Sequence, residues 1–351
     1  MPFDLAAITR PNIRNLVPYS SARDEFKGDA SIYLDANENS LGSPLTRWYN
    51  RYPDPMQLAV KEKISAIKGV PVPGIFLGNG SDEAIDILYR AFCEPGIDNV
   101  IVCPPTYGMY EVSARINNVQ LKKVSLTPGF QLNMEALEEA IDIHTRIIWL
   151  CSPNNPTGNS INRNDVEVIL NNFDGIVVID EAYINFSRHR SFIPELPEYP
   201  NLVVLQTLSK AWGLAALRIG MAFASEAIIN IMNRIKPPYN ISQAAQELAL
   251  QALDNVEEVN DMIRILVEER GKLAIALEKL PIVEIVYPSD ANFLLVKTRD
   301  ASGLYNYLAG KGTVVRNRSN VTLCENCLRI TVGTPAENLQ LLKQLEEYIM
   351  P

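Results

Sequence analysis

The sequence predicts an α/β fold built on a mainly parallel sheet, with a smaller α+β unit after it. Short, continuous apolar runs alternate with helical segments through the first two thirds of the chain. Polar residues follow several of these runs directly, and the regular alternation stops after about residue 280. Parallel strands are covered by helices on both faces, so their runs stay apolar throughout. The pattern therefore favours a large parallel-sheet domain over an all-helical or all-β protein.

The predicted elements divide the chain into three parts. Six apolar runs are the expected strands of the large domain: Ile75–Leu77, Val100–Val102, Ile147–Leu150, Ile176–Ile179, Leu202–Leu205 and Ile219–Ala224. A helical stretch over 243–279 has an acidic middle, where we expect a break or a solvated face, and strands and helices of a smaller unit follow it. Residues 1–40 look like an extended arm, part of it belonging to the small domain, with a strand at Ile32–Leu34. We expect domains at 41–250 and 251–351.

Composition argues against several functional classes. The 351 residues carry a net charge of −9, which is unlike the basic footprint of a nucleic-acid binder. No run reaches transmembrane length, and the first ten residues lack a signal-peptide pattern. Five cysteines are too few and odd in number for a disulfide framework, so a cytoplasmic setting is expected. The lone pair Cys324 and Cys327 is not interpreted as a metal site.

Polar residues cluster just after the ends of the predicted strands. In open α/β sheets ligands bind at these carboxyl ends, so we expect the residues to converge on one crevice. Taken alone, each motif has a plain structural interpretation as a helix start, a turn, a cap or a solvated lysine. Their order along the chain instead predicts a pyridoxal 5′-phosphate site.

The reactive part of this predicted site lies around Lys210. Its amine would hold the cofactor aldehyde as a Schiff base and act in catalysis. Asp180 would face the pyridine nitrogen, and a carboxylate there favours the protonated ring. Asn155 and Tyr183 would donate hydrogen bonds to the ring oxygen, and Tyr107 would stack on the ring.

The phosphate would lie against the turn at Gly80, Ser81 and Asp82, where a helix begins. Backbone N–H groups and the helix dipole favour an anion at such a position. Ser209 and Arg218 would add charge-assisted hydrogen bonds. The turn has neither the Walker A pattern nor the G-x-G-x-x-G fingerprint of dinucleotide-binding proteins.

These motifs resemble the fold-type I pyridoxal-phosphate aminotransferases. Over nearly its full length the chain is more narrowly similar to the histidinol-phosphate aminotransferases. The runs that carry this narrower resemblance are 12–19, 34–39, 51–53, 78–83, 103–110, 151–158 and 327–334.

The resemblance implies a mainly parallel seven-stranded sheet between helices, a smaller C-terminal domain and an N-terminal arm. It implies a homodimer in which Tyr52 reaches the cofactor phosphate of the partner subunit. Arg329 would bind the substrate phosphate or carboxylate, Arg316 would assist, and Tyr19 and Asn37 would line the substrate side. The implied reaction is transamination between L-histidinol phosphate and 2-oxoglutarate, giving imidazole-acetol phosphate and L-glutamate.

Other functions share part of this pattern. An aromatic aminotransferase or a phospho-amino-acid decarboxylase would use most of the same residues. A nicotinamide-dependent dehydrogenase is disfavoured by the missing fingerprint. A non-catalytic binding module is disfavoured by the intact set Lys210, Asp180 and Arg218.

Overall fold

The computed structural model describes residues 3–19, 32 and 34–349. Its centre is a seven-stranded sheet with the order β1-β7-β6-β5-β4-β2-β3. The strands are β1 (Ile75–Asn79), β2 (Asn99–Val102), β3 (Gln120–Lys123), β4 (Thr145–Cys151), β5 (Ile176–Asp180), β6 (Leu202–Thr207) and β7 (Ile219–Ala224).

Six of these strands point in one direction. The pairs from β3 to β6 are parallel, whereas β7 is antiparallel to both of its neighbours, β6 and β1. The predicted mainly parallel sheet is therefore confirmed. The carboxyl ends of the six strands, and the beginning of β7, lie at one edge of the sheet.

Helices cover both faces of the sheet. They are α3 (Leu58–Lys68), α4 (Ser81–Phe92), α5 (Met109–Ile116), α6 (Met134–Ala140), α7 (Arg163–Asn172), α8 (Glu226–Ile235) and α9 (Gln243–Leu253). Along β5, Val177 and Ile179 pack into one apolar core, and Ile176 and Val178 pack into the core on the other face. This double burial explains why the strand reads as a continuous apolar run.

The sheet has two different edges. β1 is buried over Ile75–Gly78. β3, which the apolar pattern did not predict, is polar and partly exposed. Its lysines form ion pairs, Lys122 with Asp142 and Lys123 with Glu111, both at 2.7 Å.

A second, antiparallel sheet has the order β10-β11-β9-β8. Its strands are β8 (Val283–Val286), β9 (Phe293–Thr298), β10 (Arg316–Asn317) and β11 (Cys327–Thr331). The helices of this part of the chain are α10 (Val256–Glu278), α11 (Ala301–Gly310) and α12 (Pro335–Ile349). The predicted break in the long helical stretch falls between α9 and α10. The domain division at 41–250 and 251–351 stays a prediction, supported by the separation of the two sheets along the chain.

The N-terminal arm differs from expectation. Two single-turn helices, α1 (Leu5–Ile8) and α2 (Pro11–Arg14), replace the expected extended chain, because Asp4 caps the first and Pro11 begins the second. The predicted strand at Ile32–Leu34 is absent at Ile32 and Leu34, which are irregular, and Tyr33 lies outside the described residues.

Candidate active site

A cavity of about 750 Å³ opens at the carboxyl edge of the large sheet. It is lined by the loops after β1, β2, β4, β5 and β6 and, from the other sheet, by β10, β11 and residues between them. Twelve of the predicted site residues line it: Gly80, Ser81, Asp82, Tyr107, Asn155, Asp180, Tyr183, Ser209, Lys210, Arg218, Arg316 and Arg329. The parallel topology brings ten of them together, because they lie at or after the ends of strands that meet at this edge. Arg316 and Arg329 come from the smaller antiparallel sheet.

Three predicted residues do not line the cavity. Tyr52 is half exposed and stacks on Tyr239, with ring centroids 4.5 Å apart. Tyr19 and Asn37 are exposed on the N-terminal segment. The cavity of a single chain therefore does not support the roles predicted for Tyr52, Tyr19 and Asn37, which stay predictions.

Lys210 lies in the loop that connects β6 to β7. It lines the cavity and stays accessible to solvent, and its Nζ lies 5.6 Å from the centroid of the Tyr183 ring. Burial by the surrounding walls lowers the pKa of Lys210 from its ordinary value, and Arg329 and Arg218 lower it further, whereas Asp180 opposes them. A lysine with a lowered pKa is more often neutral, as a nucleophile or a proton acceptor must be.

Asp180 ends β5 and is buried. Its carboxylate accepts hydrogen bonds from the Tyr110 hydroxyl at 2.7 Å and from the Ala182 N–H at 3.1 Å. Burial raises the pKa of Asp180, while these two hydrogen bonds work in the opposite direction. No ion pair of this carboxylate is formed within the described residues. A cationic ligand placed against it would supply the missing charge.

Tyr110 is a site residue that the sequence did not single out. It is fully buried, stacks on Trp149 with centroids 5.0 Å apart, and directs its hydroxyl to Asp180. The only signal was its position at the end of the run 103–110. Its contact with Asp180 depends on the packing of α5 against the sheet, which a sequence pattern does not show.

Asn155 connects the two sheets. Its side-chain oxygen accepts a hydrogen bond from Arg329 Nη1 at 2.6 Å, and its Nδ2 donates to the Tyr183 hydroxyl at 3.4 Å. The Tyr183 ring packs edge-on against Phe293 of β9, with centroids 5.1 Å apart. The wall of the cavity is therefore shared between the large sheet and the smaller one.

The turn before α4 forms one end of the cavity. Gly80 has a φ of +78°, and its N–H donates to the Arg218 carbonyl at 2.7 Å. A Cβ at Gly80 would lie 2.7 Å from Arg218 Nη2, so the guanidinium rests directly on this glycine. Asp82 lies 3.4 Å from that same nitrogen and accepts a hydrogen bond from Tyr107 at 3.0 Å.

Arginines from the smaller sheet line another part of the cavity. Arg316 of β10 lies directly opposite Arg329 of β11 in the antiparallel ladder. Arg318, which the sequence did not single out, also lines the cavity. The spacing of Arg316 and Arg318 could have identified Arg318, because residues two apart in a strand share a face.

The residues present fit pyridoxal phosphate. An accessible lysine with a lowered pKa suits an aldehyde, and a buried carboxylate suits a ring cation. The Gly80 turn, a helix N-terminus and Arg218 suit a phosphate. Within residues 3–19, 32 and 34–349, no helix combines the length and apolar character needed to cross a membrane.

The fold and the cavity define the class of protein. The chain belongs to the aminotransferase class I and II family, whose model matches residues 35–345. Its curated relatives include the histidinol-phosphate aminotransferase of Parabacteroides distasonis, to which it is 56% identical over 98% of each chain. They also include the histidinol-phosphate aminotransferase of Cytophaga hutchinsonii, to which it is 54% identical over 99% of this chain and 100% of that one.

The solved structure of the histidinol-phosphate aminotransferase from Clostridium acetobutylicum has the same fold. It superposes with a TM-score of 0.79 over 86% of this chain and 91% of that chain, at 23% identity. The predicted fold class is therefore confirmed.

Proposed function

We propose that this protein is a pyridoxal-phosphate-dependent aminotransferase that exchanges an amino group between L-histidinol phosphate and 2-oxoglutarate. The observation that carries the proposal is the 56% identity to a histidinol-phosphate aminotransferase over 98% of the chain. The cavity supports it, because a reactive lysine lies between one anion-binding turn and a second set of cations.

The large sheet supplies the groups that would hold the cofactor. Ser209, Arg218 and the turn from Gly80 to Asp82 would bind its phosphate, and Tyr107 would contact its ring. When bound, pyridoxal phosphate supplies an aldehyde that reacts with amines and a ring that accepts electrons. Asp180, supported by Tyr110, would keep a negative charge opposite the ring nitrogen.

Lys210 would accept and return the proton that moves during transamination. Its Nζ is accessible from the cavity, and its lowered pKa keeps a larger neutral fraction near neutral pH. Asn155 and Tyr183 would hold the ring oxygen from the wall that they share with Arg329.

The smaller sheet would bind the anionic end of the substrate. Arg329 and Arg316 would take the phosphate of histidinol phosphate, and Arg329 would take a carboxylate of glutamate or 2-oxoglutarate in the other half-reaction. Tyr19 and Asn37 would line the substrate side from the N-terminal arm.

The active unit is proposed to be a homodimer in the cytoplasm. Tyr52 does not line the cavity of its own chain, and it is half exposed on a segment that carries other exposed large apolar residues, Leu41, Leu45, Trp48 and Tyr49 among them. Such a surface is typical of a subunit contact. Tyr52 would complete the phosphate site of the partner subunit.

The test is a half-reaction followed by absorbance. Protein loaded with pyridoxal phosphate is mixed with L-histidinol phosphate, which should convert the cofactor to its amine form, and 2-oxoglutarate should reverse the change. Carbon dioxide release would instead favour a phospho-amino-acid decarboxylase, and a better response to aromatic amino acids would favour an aromatic aminotransferase. The matched variant Lys210→Ala should show no conversion, and retained turnover would contradict the role of Lys210.

A further inference from the structure

We propose that Arg318 is a substrate-specificity residue, a third cation that makes this site prefer a doubly charged phosphate over a singly charged carboxylate. The proposal rests on the proposed function for the identity of the substrate. The new claim concerns the site: Arg318, together with Arg316 and Arg329, binds a dianion. We call these three residues the arginine triad.

The backbone places the triad on one wall. Arg316 and Arg329 are partners in the β10–β11 ladder, and the Arg318 N–H extends that pairing by donating to the Cys327 carbonyl at 2.8 Å. All three side chains line the same cavity, as Tyr183 does. Burial lowers the pKa of Arg318, and the charges of Arg329 and Arg316 lower it further. Burial also lowers the pKa of Arg329, which Tyr183 opposes and Arg316 reinforces.

The triad lacks counter-charges in the part of the chain that the structure describes. None of its members forms an ion pair there, and Arg318 Nε is buried without a hydrogen-bond partner. Two other partly buried arginines are instead paired with carboxylates: Arg146 contacts Asp98 at 3.0 Å and Arg10 contacts Glu94 at 3.2 Å. Assembling three unneutralised cations costs free energy, so the arrangement indicates a ligand that brings more than one negative charge.

A carboxylate matches only part of this charge. Arg329, which also donates to Asn155, can hold one carboxylate through its fork of N–H groups. A phosphate monoester carries nearly two negative charges at neutral pH and three acceptor oxygens, enough for additional guanidinium groups. Arg318 is therefore expected to bind a dianionic phosphate and to contribute little to the binding of a single carboxylate.

The experiment compares Arg318→Gln with the parent protein, both loaded with pyridoxal phosphate so that the cofactor phosphate site is filled. Binding of inorganic phosphate and of acetate is measured by calorimetry at about pH 8, where phosphate is mainly dianionic. We expect phosphate affinity to fall by about 10- to 100-fold, as for loss of a charged hydrogen-bonding group, and acetate affinity to change little. For histidinol phosphate, KM should rise while kcat changes little.

Two further variants separate charge from structure. Arg318→Lys keeps the charge without the guanidinium fork and should recover part of the phosphate affinity. Arg299→Gln removes an exposed arginine of the same part of the chain, outside the cavity, and should leave both affinities unchanged.

The outcomes distinguish this inference from the proposed function. Unchanged phosphate affinity in Arg318→Gln, or equal losses for phosphate and acetate, would overturn the inference even if histidinol phosphate is a substrate. If histidinol phosphate is not converted but phosphate binding still depends on Arg318, the inference stands and the proposed substrate is wrong.

Discussion

Two neighbouring acidic residues at the end of β5 have different surroundings. Asp180 faces the cavity, whereas Glu181 is held on the other side of the chain by three donors. These are the Ser191 hydroxyl at 2.5 Å, the Phe192 N–H at 2.6 Å and Gln206 Nε2 at 2.9 Å. Burial nevertheless dominates and raises the pKa of Glu181 to about 7.

The free energy of unfolding should therefore depend on the ionisation of Glu181. In the unfolded chain the carboxyl loses its proton near its ordinary pKa of 4.5, but in the folded protein it does so only near 7. Stability should fall as pH rises through this interval, by up to about 3 kcal/mol. In Glu181→Gln, which stays neutral, the loss between about pH 5 and pH 8 should be smaller by that amount.

Chemical denaturation at both pH values measures this difference. Glu198→Gln, at an exposed position, is the matched control and should keep the parent pH dependence. Identical pH dependence in Glu181→Gln and the parent would show that Glu181 titrates normally.

Among single residues, the sequence pattern identified those at strand ends, such as Lys210 and Asp180, because topology alone places those positions at one edge of the sheet. It did not find Tyr110 or Arg318. Tyr110 donates a hydrogen bond from α5 to the end of β5, and Arg318 lines the cavity together with Arg316 and Arg329; only the folded chain displays these placements.

At the scale of elements, β7 packs tightly against the turn before α4 at Gly220. A Cβ at Gly220 would lie 2.0 Å from the Ser81 nitrogen and 2.2 Å from the Gly80 carbonyl carbon. The glycine is needed for space, because it has no positive φ. It allows the strand to hold the turn in position.

Two glycine-to-alanine changes should therefore have opposite effects. Gly220→Ala should displace the turn, lower the free energy of unfolding by about 1–3 kcal/mol and weaken pyridoxal-phosphate binding. Gly271→Ala, on an exposed turn of α10 with open space around it, should raise stability by about 0.5–1 kcal/mol. Thermal unfolding and cofactor titration measure both, and a Gly220→Ala protein with parent cofactor affinity would contradict the packing argument.

The elements that the sequence predicted are those with a clear apolar period. β3 was missed because a polar edge strand has no continuous apolar run, and β10 because two residues carry no period. The N-terminal arm was predicted as extended because α1 and α2 are single turns, held by a local cap and by the contact of Arg10 with Glu94.

At the level of the whole molecule, the role proposed for Tyr52 would make each site depend on both subunits of a dimer. If it acts across a subunit contact, a hybrid dimer of Lys210→Ala and Tyr52→Ala subunits has one site with both residues intact. The purified hybrid should show about half the parent activity, since one of two symmetric sites is restored. If Tyr52 acts within its own chain, the hybrid should be no more active than the Tyr52→Ala homodimer.

Differently tagged subunits, co-expressed and purified by both tags, provide the hybrid. The two homodimers serve as controls, and sedimentation establishes that each sample is dimeric. A monomeric active parent protein would contradict the shared site directly.

The paired lysines of β3 have a consequence for aggregation. An exposed strand edge is a template on which another chain can extend the sheet. β3 carries Lys122 and Lys123 there, each tied to a carboxylate, and the opposite edge at β1 is buried. Backbone pairing between two molecules through these edges is therefore disfavoured. The large sheet is therefore protected against edge-to-edge growth, although large apolar side chains such as Trp48 are exposed elsewhere on the chain.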